Sequence, residues 1–156
     1  MNIVIWRHAE AASGNPDAAR RLTERGRRQA SVVARWLSTH LPKPCRVIGS
    51  PAVRARDTAA ALTNEYGECA ELGYGLESAT GQAVLDAANW PKAEGTVIFV
   101  GHQPTVGRAV GLLLTGTQIQ CEVFGGSAWW FSNEMPSFEN RVLLRAVVSP
   151  EFLGGD

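Results

Sequence analysis

The chain has 156 residues, close to the roughly 150 of a typical single domain, with 45% hydrophobic and 19% charged residues. A chain of this size buries about two-thirds of its unfolded surface unaided, which excludes a disordered segment and a domain that depends on disulfides or metal to fold. Fifteen Lys and Arg balance fifteen Asp and Glu, so the long-range field that gathers nucleic acid or anionic membrane is missing, and neither is expected as a partner.

In chain order, Met1 leads directly into Ile3-Val4-Ile5-Trp6 with no basic region or long apolar signal core. No apolar run approaches the ~18 residues of a membrane span, so a cytoplasmic location is expected. Asn2 to Trp6 reads as a buried strand that ends at Arg7-His8. Thr23 is placed to cap a helix reaching about His40. In that helix Ala30, Val33, Ala34 and Leu37 share a core face, and Arg27, Arg28 and Arg35 lie off it. After the connector Pro42-Lys43-Pro44, Arg46 to Gly49 reads as a strand. Ser50-Pro51 then opens a helix from Val53 to about Tyr66.

Glu68 to Leu76 is ambiguous, and Gln82 to Trp90 has helical character. Thr96 to Val100 is the clearest strand; Gly101-His102 follows it, and Pro104 starts a helix to about Leu114. Glu122 to Phe131 and Arg141 to Val148 read as two final strands joined by a Pro-containing loop, with Trp129 and Trp130 on opposite faces. Cys45, Cys69 and Cys121 are odd in number and widely spaced, and read as three buried free thiols. Strands alternating with helices predict an α/β three-layer sandwich: a mainly parallel sheet with helices on both faces and an antiparallel edge strand, in a single domain spanning 1–156.

Ligands of such sheets bind beyond the carboxyl ends of the strands, and two apolar strands here end in histidine, His8 and His102. Arg54, in the first turn of the helix after Ser50-Pro51, belongs to the same sheet edge, so Arg7, His8, Arg54 and His102 are able to converge. The set suits a phosphoryl group. Planar guanidinium forks match its outer oxygens, and a neutral imidazole nitrogen can attack phosphorus. Two arginines beside the histidines would repel a metal ion, so no metal and no cofactor is expected.

Four elements in this order carry a family resemblance: Arg7-His8-Ala9-Glu10-Ala11, Leu22-Thr23-Glu24-Arg25-Gly26, Ser50-Pro51-Ala52-Val53-Arg54-Ala55 with Thr58, and Val100-Gly101-His102. The chain resembles the histidine phosphatase superfamily, the phosphoglycerate mutase-like group. Its short length and lack of a large inserted cap are most similar to the small SixA-type phosphohistidine phosphatase branch. The resemblance implies that His8 is a nucleophile forming a phosphohistidine intermediate, and that Arg7, Arg54 and His102 hold the phosphoryl oxygens. It also implies a metal-independent phosphatase that acts on phosphohistidine in a protein. The alternatives are a phosphomonoesterase for a small phosphorylated metabolite and a non-catalytic module that binds phosphate or phosphoproteins. The latter would not need a nucleophilic imidazole.

Glu77 falls where many members of the superfamily carry an acid for the leaving group, but Leu76-Glu77-Ser78-Ala79-Thr80-Gly81 departs from that pattern. It is a candidate catalytic acid, with a solvated loop carboxylate as the competing reading. Glu10 is a second candidate, read otherwise as a rim charge or an ion-pair partner of Arg20 or Arg21. His40, at a helix end, reads as a surface residue facing the helix dipole.

Overall fold

Apolar strands that alternate with amphipathic helices can hide both faces of a sheet only by placing helices on each side, and the chain does so. A computed structural model describes residues 1–63, 69–73, 80–133 and 141–156. The strands are β1 (Asn2–Arg7), β2 (Cys45–Gly49), β3 (Cys69–Gly73), β4 (Thr96–Gly101), β5 (Ala128–Ser132) and β6 (Leu143–Val148). The helices are α1 (Glu24–His40), α2 (Val53–Thr63), α3 (Gly81–Ala87) and α4 (Thr105–Thr115), with short 3-10 turns at Asp17–Ala19 and Pro150–Leu153.

One six-stranded sheet runs β3-β2-β4-β1-β5-β6. β3, β2, β4 and β1 are mutually parallel, and β5 and β6 extend the sheet antiparallel beyond β1. Alternation along β1 sorts the core. Val4 and Trp6 join Val33, Leu37, Ala55 and Ala59 of α1 and α2 on one face. Ile3 and Ile5 join Val84, Val106 and Val110 of α3 and α4 on the other. Trp130 belongs to the first cluster and donates from its indole to Asn2 Oδ1 at 2.9 Å, while Trp129 packs on the second.

Three expectations are corrected. The helix predicted from Gln82 to Trp90 stops at Ala87, because Asn89 takes a left-handed φ of 52° and Trp90 precedes a proline. The strand predicted from Glu122 begins only at Ala128. Gly126, at φ 77°, turns the backbone there, and the preceding residues form a loop tied to the end of β1 by Gly126 N–H to His8 O at 3.0 Å. Cys45 is in a disulfide and Cys121 is a half-buried free thiol, so the cysteines are not three buried thiols. The β2–β3 register sets Cys45 opposite Cys69 across the backbone, a neighbour relation that wide spacing in sequence conceals. The antiparallel addition expected at one edge is formed by β5 and β6. Among the described residues no helix is long and apolar enough to cross a membrane.

Candidate active site

The sheet order explains why residues far apart in sequence meet. β2, β4 and β1 are adjacent and parallel, so their carboxyl ends open on one edge, with Arg7 level with Gly101 and Gly49 level with Val100. Backbone bonds carry the alignment past the strands: His8 N–H reaches Gly101 O at 2.8 Å and Ser50 N–H reaches Val100 O at 3.0 Å. The approach is so close that a Cβ on Gly49 would lie 2.2 Å from Val100 O, which only glycine avoids. Ser50 then accepts from Ala52 N–H at 3.2 Å, and α2 begins with Arg54 in its first turn.

Arg54 is 6% exposed, and its Nε donates to His8 Nε2 at 3.1 Å. His102 follows β4 directly, and its ring centroid stands 6.4 Å from that of His8. Arg7 donates from Nη1 to Val123 O and to Glu122 Oε1, the latter at 3.1 Å. The edge therefore assembles all four residues singled out from the sequence.

His8 has a defined tautomer. Its Nδ1 lies 2.7 Å from Ala9 O, a carbonyl that can only accept, so Nδ1 carries the proton. Nε2 faces the N–H of Arg54 and is left with the lone pair. Burial, foremost, lowers the His8 pKa to about 4. The Ala9 carbonyl opposes that shift, while Arg54, Arg7 and His102 add to it.

Both helices of one face hold the segment after His8. Thr58 of α2, fully buried, accepts from Ala9 N–H at 3.1 Å and donates to Arg54 O at 2.8 Å. Gln29 of α1 accepts from Glu10 N–H at 3.0 Å. Thr23 caps α1 by accepting from Gly26 N–H at 2.9 Å, and Gly26 itself is pressed on the Glu10 backbone. These contacts explain why threonine and glycine stand in the Leu22-to-Gly26 element, and why Thr58 accompanies Arg54.

Other candidates fall differently. Glu77 lies outside the described residues. Glu10 is at the rim, but its partners are Arg25 at 3.2 Å and Thr23 Oγ1 at 2.7 Å rather than Arg20 or Arg21. His40 ends α1, stacked on Trp36 at 4.2 Å between centroids, with no part in the site.

Two carboxylates escaped the sequence reading. Asp17 receives both terminal nitrogens of Arg54, and Glu122 pairs with Arg7. Asn15-Pro16-Asp17 with Arg20 three residues on was the available sign of a structured loop, and Gly125-Gly126 was the sign that Glu122 precedes a turn. A cavity of about 220 Å³ opens beside Arg7 and His8, walled by Glu10, Arg25, Gln29 and the exposed Phe124. Among the described residues no three or more His, Cys, Asp or Glu cluster in a way that could hold a metal ion. The cationic lining instead suits an oxyanion.

Comparison with known proteins gives the family. A sequence model of the histidine phosphatase superfamily (branch 1) matches residues 3–77. The chain is 35% identical over 126 residues to the phosphohistidine phosphatase SixA homolog of Haemophilus influenzae, a match covering 72% of this chain and 77% of that one. It is 30% identical over 131 residues to phosphohistidine phosphatase SixA of Escherichia coli, covering 74% and 76% respectively. Among solved structures, SixA from Nakamurella multipartitia has a TM-score of 0.74 at 29% identity, over 96% of this chain and 95% of that one.

Proposed function

Because the chain belongs to the histidine phosphatase superfamily, in its SixA-type branch, and is a phosphatase, we propose that it dephosphorylates phosphohistidine carried by a protein through a covalent intermediate on His8. One observation carries the reading: His8 is held neutral, with its proton on Nδ1 and its Nε2 lone pair facing Arg54 among the cationic groups of the site. That is the state an imidazole needs to attack phosphorus.

In this reading Nε2 forms the new P–N bond while the bond to the leaving group breaks, and the electron pair stays with the leaving atom. Arg7, Arg54 and His102 hold the three outer oxygens, where charge is concentrated in the transition state. Water then displaces His8 from phosphorus, releasing inorganic phosphate and restoring the imidazole. The positive charge comes from side chains, so turnover is expected to persist with divalent cations chelated. The same reading treats residues 1–156 as one domain in the cytoplasm.

Glu77 separates the substrate classes. An alkyl phosphate expels a basic alkoxide and needs a proton donor, worth about 10²–10⁴-fold. Phosphohistidine expels an imidazole whose conjugate acid has a pKa near ~6.5, so the substrate takes its proton from solvent. The test is turnover of a phosphohistidine protein, a phosphoserine peptide and sugar phosphates in chelator, by wild type and Glu77→Gln. Phosphohistidine turnover within about threefold of wild type in the variant, with poor alkyl phosphate hydrolysis throughout, is the expected result. Efficient alkyl phosphate hydrolysis that collapses in Glu77→Gln would overturn it in favour of a small metabolite.

A further inference from the structure

Arg54 links His8 to Asp17. The inner edge of the guanidinium faces His8 through Nε. Its outer nitrogens both donate to Asp17: Nη1 to the carbonyl at 2.9 Å and Nη2 to Oδ2 at 3.0 Å. Arg54 is 6% exposed and the Asp17 side chain 67%, so the carboxylate stands on the solvent side of the guanidinium, away from the Nε that faces His8. The loop is pinned in place. Arg20 donates to Asp17 Oδ1 at 2.9 Å and to Ala12 O at 2.7 Å, and Ala11 bridges Leu22. Hydrogen bonds from Arg20 and then Arg54 hold the Asp17 carboxyl below the usual carboxylate range, so it is an anion at neutral pH.

A fixed anion beside Arg54 is a poor neighbour for a phosphoryl dianion, and holding Arg54 in place does not of itself require a charge. Its place suggests another use. In-line attack sets the leaving atom on the far side of phosphorus from His8 Nε2, toward the rim. A carboxylate there opposes a leaving group that departs as an anion, and supports one that carries a proton and positive charge.

We propose that Asp17 is a specificity-determining residue that selects phosphoramidates with a protonated nitrogen leaving group, phosphohistidine among them, over phosphate esters. This rests on the functional reading above and deepens it. The substrate ring enters protonated on the nitrogen remote from phosphorus. As the His8 Nε2–P bond forms, the substrate P–N bond breaks and its electron pair remains on the ring, which leaves as neutral imidazole. The remote N–H stays on that ring and donates to a spare lone pair of the Asp17 carboxylate, whose oxygens also accept from Arg20 and Arg54. His8 keeps its Nδ1 proton throughout, donated to Ala9 O.

The test compares kcat/KM of wild type, Asp17→Asn and Asp17→Glu on a phosphohistidine protein and on p-nitrophenyl phosphate, whose phenolate departs as an anion. Asparagine keeps the size and an acceptor for Arg54 but loses the charge. In Asp17→Asn the phosphohistidine rate should fall and the p-nitrophenyl phosphate rate rise, lowering their ratio by about tenfold or more, with Asp17→Glu recovering part of it. Any smaller change in the ratio, including equal losses on both substrates from a loosened Arg54, overturns the proposal while leaving the phosphohistidine reading intact. A wild type that spares phosphohistidine and hydrolyses alkyl phosphates overturns that reading, and the role of Asp17 with it.

Discussion

Arg54 Nε donates to His8 Nε2 at 3.1 Å, so a guanidinium suited to phosphoryl oxygens rests on the ring nitrogen of His8 that keeps the lone pair. In the proposed reaction an arriving phosphoryl group takes that hydrogen bond over, which frees the lone pair as oxygens reach Arg54. The arrangement needs a planar fork. It serves His8 on one edge and Asp17 on the other from a buried position. Lysine keeps the charge but cannot span both edges, so Arg54→Lys should lose about 100-fold or more in kcat with the circular dichroism spectrum unchanged. A fully active variant would show that the fork has no part in the transition state.

His8 is the proposed site of covalent chemistry. Rapid quench after mixing with a phosphoryl donor should trap an adduct that is stable in alkali and lost in acid, mapped by mass spectrometry to His8. His8→Ala should abolish both adduct and turnover. Label on His102 instead would reverse the two roles.

Burial and the neighbouring cations lower the His8 pKa to about 4, which fixes the sign of its pH dependence. Between the ordinary histidine value near ~6.5 and the folded value, an unfolded chain takes up a proton that the folded chain refuses. Acidification through that window therefore costs stability, whereas above it His8 contributes no pH dependence. For the proposed chemistry the consequence is the opposite of a loss: His8 stays neutral well below neutrality, the state that attack on phosphorus requires. A nitrogen-15 NMR titration of the ligand-free protein should show His8 neutral at pH 6 and half-protonated near 4. A midpoint at the ordinary histidine value would refute the burial argument.

Gly26 tests the support behind the His8 segment. A Cβ there would lie 2.0 Å from Glu10 O and 2.9 Å from Glu10 C, backbone atoms two residues past His8. The clash cannot be relieved by a side-chain rotation. Gly26→Ala should cost about 1–3 kcal/mol, as overpacking of a core does, and lower the melting temperature measurably. It should also reduce kcat, because the segment it displaces is the one that Gln29 and Thr58 hold. Wild-type melting and turnover together would show that α1 does not brace the His8 segment.

What was legible in the sequence was local. Apolar runs that stop at Arg7-His8 and Gly101-His102 announce buried strands ending at polar chemistry, and the Thr23 cap and Ser50-Pro51 start are written in the residues themselves. The alternation of strands with helices led from there to a parallel sheet, and a parallel sheet brings those ends to one edge. The loops were less legible: Glu122 to Ser127 has strand-like residues, and the positive φ at Gly126 overrides them.

By itself, then, the sequence determined which residues meet at the edge of the sheet, because strand direction and periodicity are properties of short segments. Only the tertiary structure decided what they meet with. Asp17 on Arg54, Glu122 on Arg7, Cys45 level with Cys69 and Arg25 on Glu10 all join residues from separate elements, and their separation along the chain carries no record of the contact. The protonation of His8 belongs to the same class: the tautomer depends on a carbonyl and a guanidinium in space, and the lowered pKa on how much water the fold removes.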